Sequence, residues 1–126
     1  MTQSINDKTK QYYLDQLEIL NGRAFHFYMI NKKKGLTNYQ IKKKIWYSTL
    51  WREAKILFKE LNTFIYGSLT CEICLKGFYS DKIGNFQLHH DLTLYNWKDV
   101  FNPKLTHVVH KMCHKKELHF ITADQL

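Results

Sequence analysis

The sequence is poor in the residues that break or cross-link a chain: one proline, five glycines and three cysteines among 126 residues. It is also short of acid, with 11 Asp and Glu against 19 Lys and Arg. No apolar run approaches the length of a membrane span, and the polar start Met1-Thr-Gln-Ser4 is no secretory signal. A soluble, intracellular protein with no membrane partner is therefore expected. Three cysteines, two of them in a C-x2-C pair, read as metal ligands and not as a disulfide framework. Internal repeats and low-complexity linkers are missing as well. What is present is apolar and aromatic, at 44% and 15% of residues, a composition that folds. The length fits one modest domain, or a small helical part joined to a metal-dependent module.

The positive charge is unevenly placed. Residues 1–70 carry 12 Lys and Arg against 5 Asp and Glu, whereas residues 71–119 carry 7 against 5. The basic excess lies ahead of the cysteines, where it suits a polyanion; a merely solvated basic surface is the competing reading.

Three helices are expected in that basic part. Ser4 opens the first, with Leu14, Leu17 and Leu20 on one side and Asn21-Gly22 as its stop. Arg23 to Lys34 forms a second, ending at Gly35, with His26 as a packing residue. Thr37-Asn-Tyr-Gln40 is a capping box for a third helix reaching Asn62. Trp46, Leu50, Ala54, Leu57 and Leu61 form its buried stripe. Lys44, Arg52, Lys55 and Lys59 fall within about 80° of one another and make a basic strip, the candidate DNA-contacting residues. Gly67-Ser68 is the joint, giving a helical region 1–66 and a second region 67–126.

The second region changes texture. All three cysteines and six of the seven histidines lie between Cys71 and His119. Cys71, Cys74, His110 and Cys113 form two pairs with equal gaps and supply a closed tetrahedral set for a structural Zn2+. A two-Cys, two-His finger using His114 would need a much shorter interval than that from Cys74 to His110. Phe86–Leu94 and Leu105–Val109 read as strands and Met112–Phe120 as a short helix, with Trp97 and Tyr95 as core. His89, His90 and His114 remain beyond the zinc set and suggest a second site.

This order of strand, loop, strand and helix, with C-x2-C, His89-His90 and Cys113-His114 at the joints, resembles the HNH (ββα-metal) endonuclease superfamily. It is most similar to zinc-containing, phage-type members such as endonuclease VII, over about residues 46–119 and beginning at Trp51-Arg52. The resemblance implies an α+β fold with a zinc-stapled ββα-metal module behind a basic helical region. It implies a hydrolase cutting DNA, duplex or branched, to 5′-phosphate and 3′-hydroxyl ends. His90 would be the general base, with Asn102 or His107 orienting it. His89 and His114 would hold one catalytic divalent metal. Family members often carry Asp where His89 stands, and two imidazoles favour Mn2+, Co2+, Ni2+ or Zn2+ over Mg2+. Strict strand alternation would put His89 and His90 on opposite faces, so the strand is expected to end or bend there. A homodimer fits this picture, as does the cytoplasm of a host cell for a phage or mobile-element product. The alternatives are a non-catalytic zinc module binding nucleic acid or a partner, and a junction-resolving nuclease.

Overall fold

The computed structural model describes residues 2–80, 85–90 and 97–113, with side chains from residue 9 onward. The architecture is α+β: three helices, α1 (Thr2–Lys33), α2 (Asn38–Trp46) and α3 (Thr49–Tyr66), precede a two-stranded antiparallel sheet of β1 (Phe86–His90) and β2 (Thr106–His110). A 3-10 turn, Trp97–Asp99, lies between the strands. No helix among the described residues is long and apolar enough to cross a membrane.

The two helices expected over residues 4–34 are one continuous helix. Asn21 does not stop it, because its side chain is engaged elsewhere in the fold. Asn21 Nδ2 donates to the Lys98 carbonyl, and the Phe101 N–H donates to Asn21 Oδ1 at 2.8 Å. Buried Leu17, Leu20 and Ala24 on either side hold the helix through Gly22. That packing outweighs the roughly 1 kcal/mol that a mid-helix glycine costs. The helix does end where expected, at Gly35 with φ +91°.

The expected third helix is two. The Thr37 capping box is present, with Gln40 N–H on Thr37 Oγ1 at 3.2 Å and Thr37 N–H on Gln40 Oε1 at 2.9 Å. The helix then breaks at Tyr47-Ser48. Ser48 turns extended (ψ 164°), and its hydroxyl donates to the Ile45 carbonyl at 2.6 Å. A serine hydroxyl on a nearby carbonyl offers the backbone an alternative to the helical ladder. The break moves the buried stripe of α3 onto Leu50, Ala54, Phe58 and Leu61, while Trp46 is 40% exposed and Leu57 is only partly buried. Gly67, at φ +84°, closes α3 with its N–H on the Thr63 carbonyl.

α3 carries the sheet. Lys55 Nζ donates to the Phe86 carbonyl at 2.7 Å and sits 4.6 Å from the Phe86 ring centroid. Farther along, buried Asn62 clamps Thr70 in both directions, Nδ2 to the Thr70 carbonyl and Thr70 N–H to Oδ1, each at 2.8 Å. Leu17 and Phe58 share one core with Phe86, Leu88 and Val108, so the helices and the sheet pack around a common interior.

Candidate metal centre

The segment after Gly67 folds back on itself. Thr70 bridges Gly77, the Cys71 N–H donates to the Lys76 carbonyl at 2.9 Å, and the Leu75 N–H donates to the Cys71 carbonyl at 2.8 Å. The hairpin of residues 70–77 thereby wraps the Cys71 and Cys74 sulfurs. Glu72 locks it to β2: its N–H donates to the Val108 carbonyl at 2.9 Å, and its carboxylate accepts the Val108 N–H. The far end of β2 brings His110, and residues 111–113 start a helical turn that returns Cys113.

The four expected ligands converge. One ligand atom from each of Cys71, Cys74, His110 and Cys113 lies within 4.8 Å of the others. Cys74 Sγ is 3.3 Å and Cys113 Sγ 3.9 Å from His110 Nδ1. Tetrahedral zinc with ordinary Zn–S and Zn–N bonds separates its ligand atoms by about 3.5–3.8 Å, so the donor set fits. The ring is also oriented for it. His110 Nε2 donates to the Gly77 carbonyl at 2.9 Å, which leaves Nδ1 as the lone-pair nitrogen, and Phe78 packs on the imidazole at 4.1 Å between centroids. Cys71 is buried and accepts the His110 N–H at 3.3 Å. The backbone amide of Lys76 leads in lowering the Cys74 thiol pKa, with smaller help from neighbouring thiols and the Lys76 charge. Desolvation, then the other two thiols, push Cys113 up to about 11. Three thiols crowding one point compete for charge, and a divalent cation resolves that competition by holding all three as thiolates. The Cys3His cluster can hold a structural metal such as zinc.

The histidine pair is divided. β1 ends at His90, but its pairing runs without a bend through His90↔Thr106. His89 therefore shares a face with His107, their rings 6.4 Å apart, and it is buried. His90 points to the opposite face, toward α3. It is half-buried, its ring 6.4 Å from Trp51, and its Nε2 donates to the Val100 carbonyl at 2.7 Å. This carbonyl fixes one nitrogen of the His90 ring. Asn102 holds its own loop, donating to Asp99 Oδ1 at 3.1 Å and accepting the Lys104 N–H at 3.0 Å. His107 lies across the sheet, 3.5 Å from Glu72 Oε1. His114, His119, Asp91 and Tyr95 fall outside the described residues. Among the described residues, no second group of three potential ligands converges.

The basic strip is not continuous. Lys44 belongs to α2, and the Ser48 break separates it from Arg52, Lys55 and Lys59 on α3. Lys55 is half-buried against Phe86, and that burial lowers its pKa. Its ammonium serves the fold, while Arg52 stays exposed. His26, expected in packing, is exposed beside a groove of about 500 Å³ between α1 and Leu50. Trp97 is core as expected, stacked on Tyr28 at 5.1 Å. Sequence reasoning missed Glu72, Asn62 and Val100. The first two act through hydrogen bonds to backbone groups of other segments and the third through its carbonyl, and none of these leaves a mark on residue spacing.

Fold and cluster together define an α+β protein with a Cys3His centre suited to zinc. Compared with protein-family models, curated proteins and solved structures, the chain matches none.

Proposed function

We propose that this chain is a zinc-stapled DNA endonuclease of the HNH (ββα-metal) type, with His90 as its general base. The setting of His90 carries the reading. It is the last residue of a strand whose hairpin is tied down at the opposite end by the Cys3His cluster, and its ring is fixed by the Val100 carbonyl. A carbonyl can only accept, so Nε2 carries the proton and Nδ1 becomes the basic nitrogen of the neutral ring. An ordinary imidazole is largely neutral at pH 7 and can take a proton from a water attacking a phosphodiester. The positive charge of residues 1–70 supports a polyanionic substrate. A divalent metal, where family members bind one, stabilises charge on the phosphate and helps the 3′ oxygen depart. His89 does not complete such a site beside His90 among the described residues, so the step assigned here is proton transfer alone.

That same separation of His89 from His90 favours the second reading, a zinc module that binds nucleic acid without cutting it. Plasmid cleavage across Mg2+, Mn2+, Co2+, Ni2+ and Zn2+ decides between them. Wild-type protein should cut with at least one ion. His90→Ala should lose about 10²–10⁴ in rate, with zinc content and melting temperature unchanged. A wild-type protein inert with every ion, or a His90→Ala protein cutting at the wild-type rate, would transfer the assignment to the binding module. Faster cutting of branched than of linear duplex would mark a junction-resolving enzyme.

A further inference from the structure

The outward face of α2 contributes nothing to the core, yet it is aromatic. Ile41 and Ile45 are fully buried. At about 100° per residue, Tyr39, Lys43 and Trp46 project from the opposite side of the helix and half-buried Lys42 from its flank, with Tyr47 just past its end. Tyr39 is 63% exposed, Trp46 40% and Tyr47 90%. The lysines are interleaved with the rings: Lys42 Nζ lies 4.6 Å from the Trp46 ring centroid and Lys43 Nζ 4.9 Å from that of Tyr39. Lys32, in the last turn of α1, bonds Asn38 Oδ1 at 3.2 Å, which brings the Lys32–Lys34 cluster to the start of α2. The other end leads toward His90. Trp46 meets Trp51 edge-on at 6.3 Å, and Trp51 lies 6.4 Å from the His90 ring.

We propose that Tyr39, Lys42, Lys43, Trp46 and Tyr47 form a stacking platform for unpaired DNA that directs a single strand toward His90. The strand's destination rests on the nuclease reading; the binding does not. Charge complementarity selects a polyanion, and the rings select its form. In duplex the base faces are already stacked and only phosphates are presented, whereas an unpaired strand offers π faces to exposed rings. Tyr39 and Trp46 are roughly 10 Å apart along the helix axis, room for two or three bases, with lysines between them for the phosphates. An anionic membrane would also attract lysines and aromatics. This face, however, carries none of the aliphatic side chains that an interfacial helix buries among acyl chains.

The test uses the full, zinc-loaded chain and fluorescence anisotropy without added divalent ions. The probes are a twelve-nucleotide oligothymidylate and a duplex of equal length. Replacing Tyr39 and Tyr47 together by Ala should weaken single-strand binding about 10- to 100-fold and change duplex binding by about twofold at most. Replacing both by Phe should restore it, since stacking needs the ring and not the hydroxyl. Both tyrosines are exposed, so melting temperatures should match the wild type. Equal losses on both probes, no loss on either, or tighter binding of the matching RNA would overturn the proposal. So would phosphatidylserine vesicles being the only probe that the Ala variant releases. Wild-type protein that binds the oligomer through these tyrosines but never cuts would remove the nuclease reading alone. Cleaving protein indifferent to the Ala variant would remove the platform alone.

Discussion

Leu75 is the only non-glycine residue with a positive φ, 63°, among those described, and it directly follows Cys74 of the Cys3His cluster. The conformation comes from the need to turn the chain around sulfur, with Leu75 N–H on the Cys71 carbonyl and Cys71 N–H on the Lys76 carbonyl. A left-handed residue with a Cβ costs about 1–2 kcal/mol, and a side chain 67% exposed recovers little of it by burial. Glycine relieves that strain but gives back roughly 0.5–1 kcal/mol in unfolded-state freedom. Leu75→Gly is therefore expected to stabilise slightly, by up to about 1 kcal/mol, with one zinc per chain retained. Leu75→Val should destabilise, since a β-branched side chain fits this region worst. Thermal melts of the two variants check the order; Val above Gly would mean that φ at this position is not what limits the turn. The ligands themselves were legible as residues, because thiol and imidazole chemistry at fixed spacing needs no tertiary information. The strain at Leu75 and the Gly77 carbonyl that sets the His110 tautomer were not, because both depend on how the backbone closes.

At the scale of elements, local signals succeeded where the chemistry was local. The Thr37–Gln40 capping box and the glycine stop at Gly35 behave as the side chains or the lack of Cβ dictate, whereas α3 runs past the expected end at Asn62 to Tyr66 before Gly67 closes it. Asn21-Gly22 failed as a stop because Asn21 found its partners at Lys98 and Phe101, about eighty residues away. Gly22 therefore sits inside a helix, and a Cβ placed there meets nothing within 4 Å. Gly22→Ala should stabilise the protein by about 0.5–1 kcal/mol, from helix propensity and reduced unfolded-state entropy. Denaturant titration should show a higher midpoint with an unchanged slope. A lower midpoint would mean that α1 needs its flexibility at this point. The starts of both strands were placed to within one residue, but the bend expected at His89-His90 is not there. Alternation divides the pair, and the pairing stays regular through both.

Among the described residues, the sheet and the helices bury side chains in one interior. Charge distribution and texture placed the joint at Gly67, where α3 indeed ends, but no sequence signal announced that Asn62 and Lys55 would fasten the second region onto α3. This sharing determines what metal removal should do. The Cys3His cluster ties residues 71–74 to the end of β2 and to the turn beyond it. β2 pairs with β1, and β1 supplies Phe86 and Leu88 to the core that α3 covers. A structural zinc holds about 10–16 kcal/mol of apparent binding energy, as much as or more than the net stability of an ordinary domain. Chelation, or Cys74→Ser, should therefore lower the melting temperature of the entire chain in a single transition. Amide exchange should accelerate first over residues 70–77 and 106–110 and then along the face of α3 that carries Phe58 and Leu61. Elemental analysis should find one zinc in the native protein and none in the chelated form. Unchanged melting and exchange after chelation would reject the zinc site. Two separate transitions, with α1–α3 melting at the native temperature, would reject the shared core as the route by which the metal stabilises the fold.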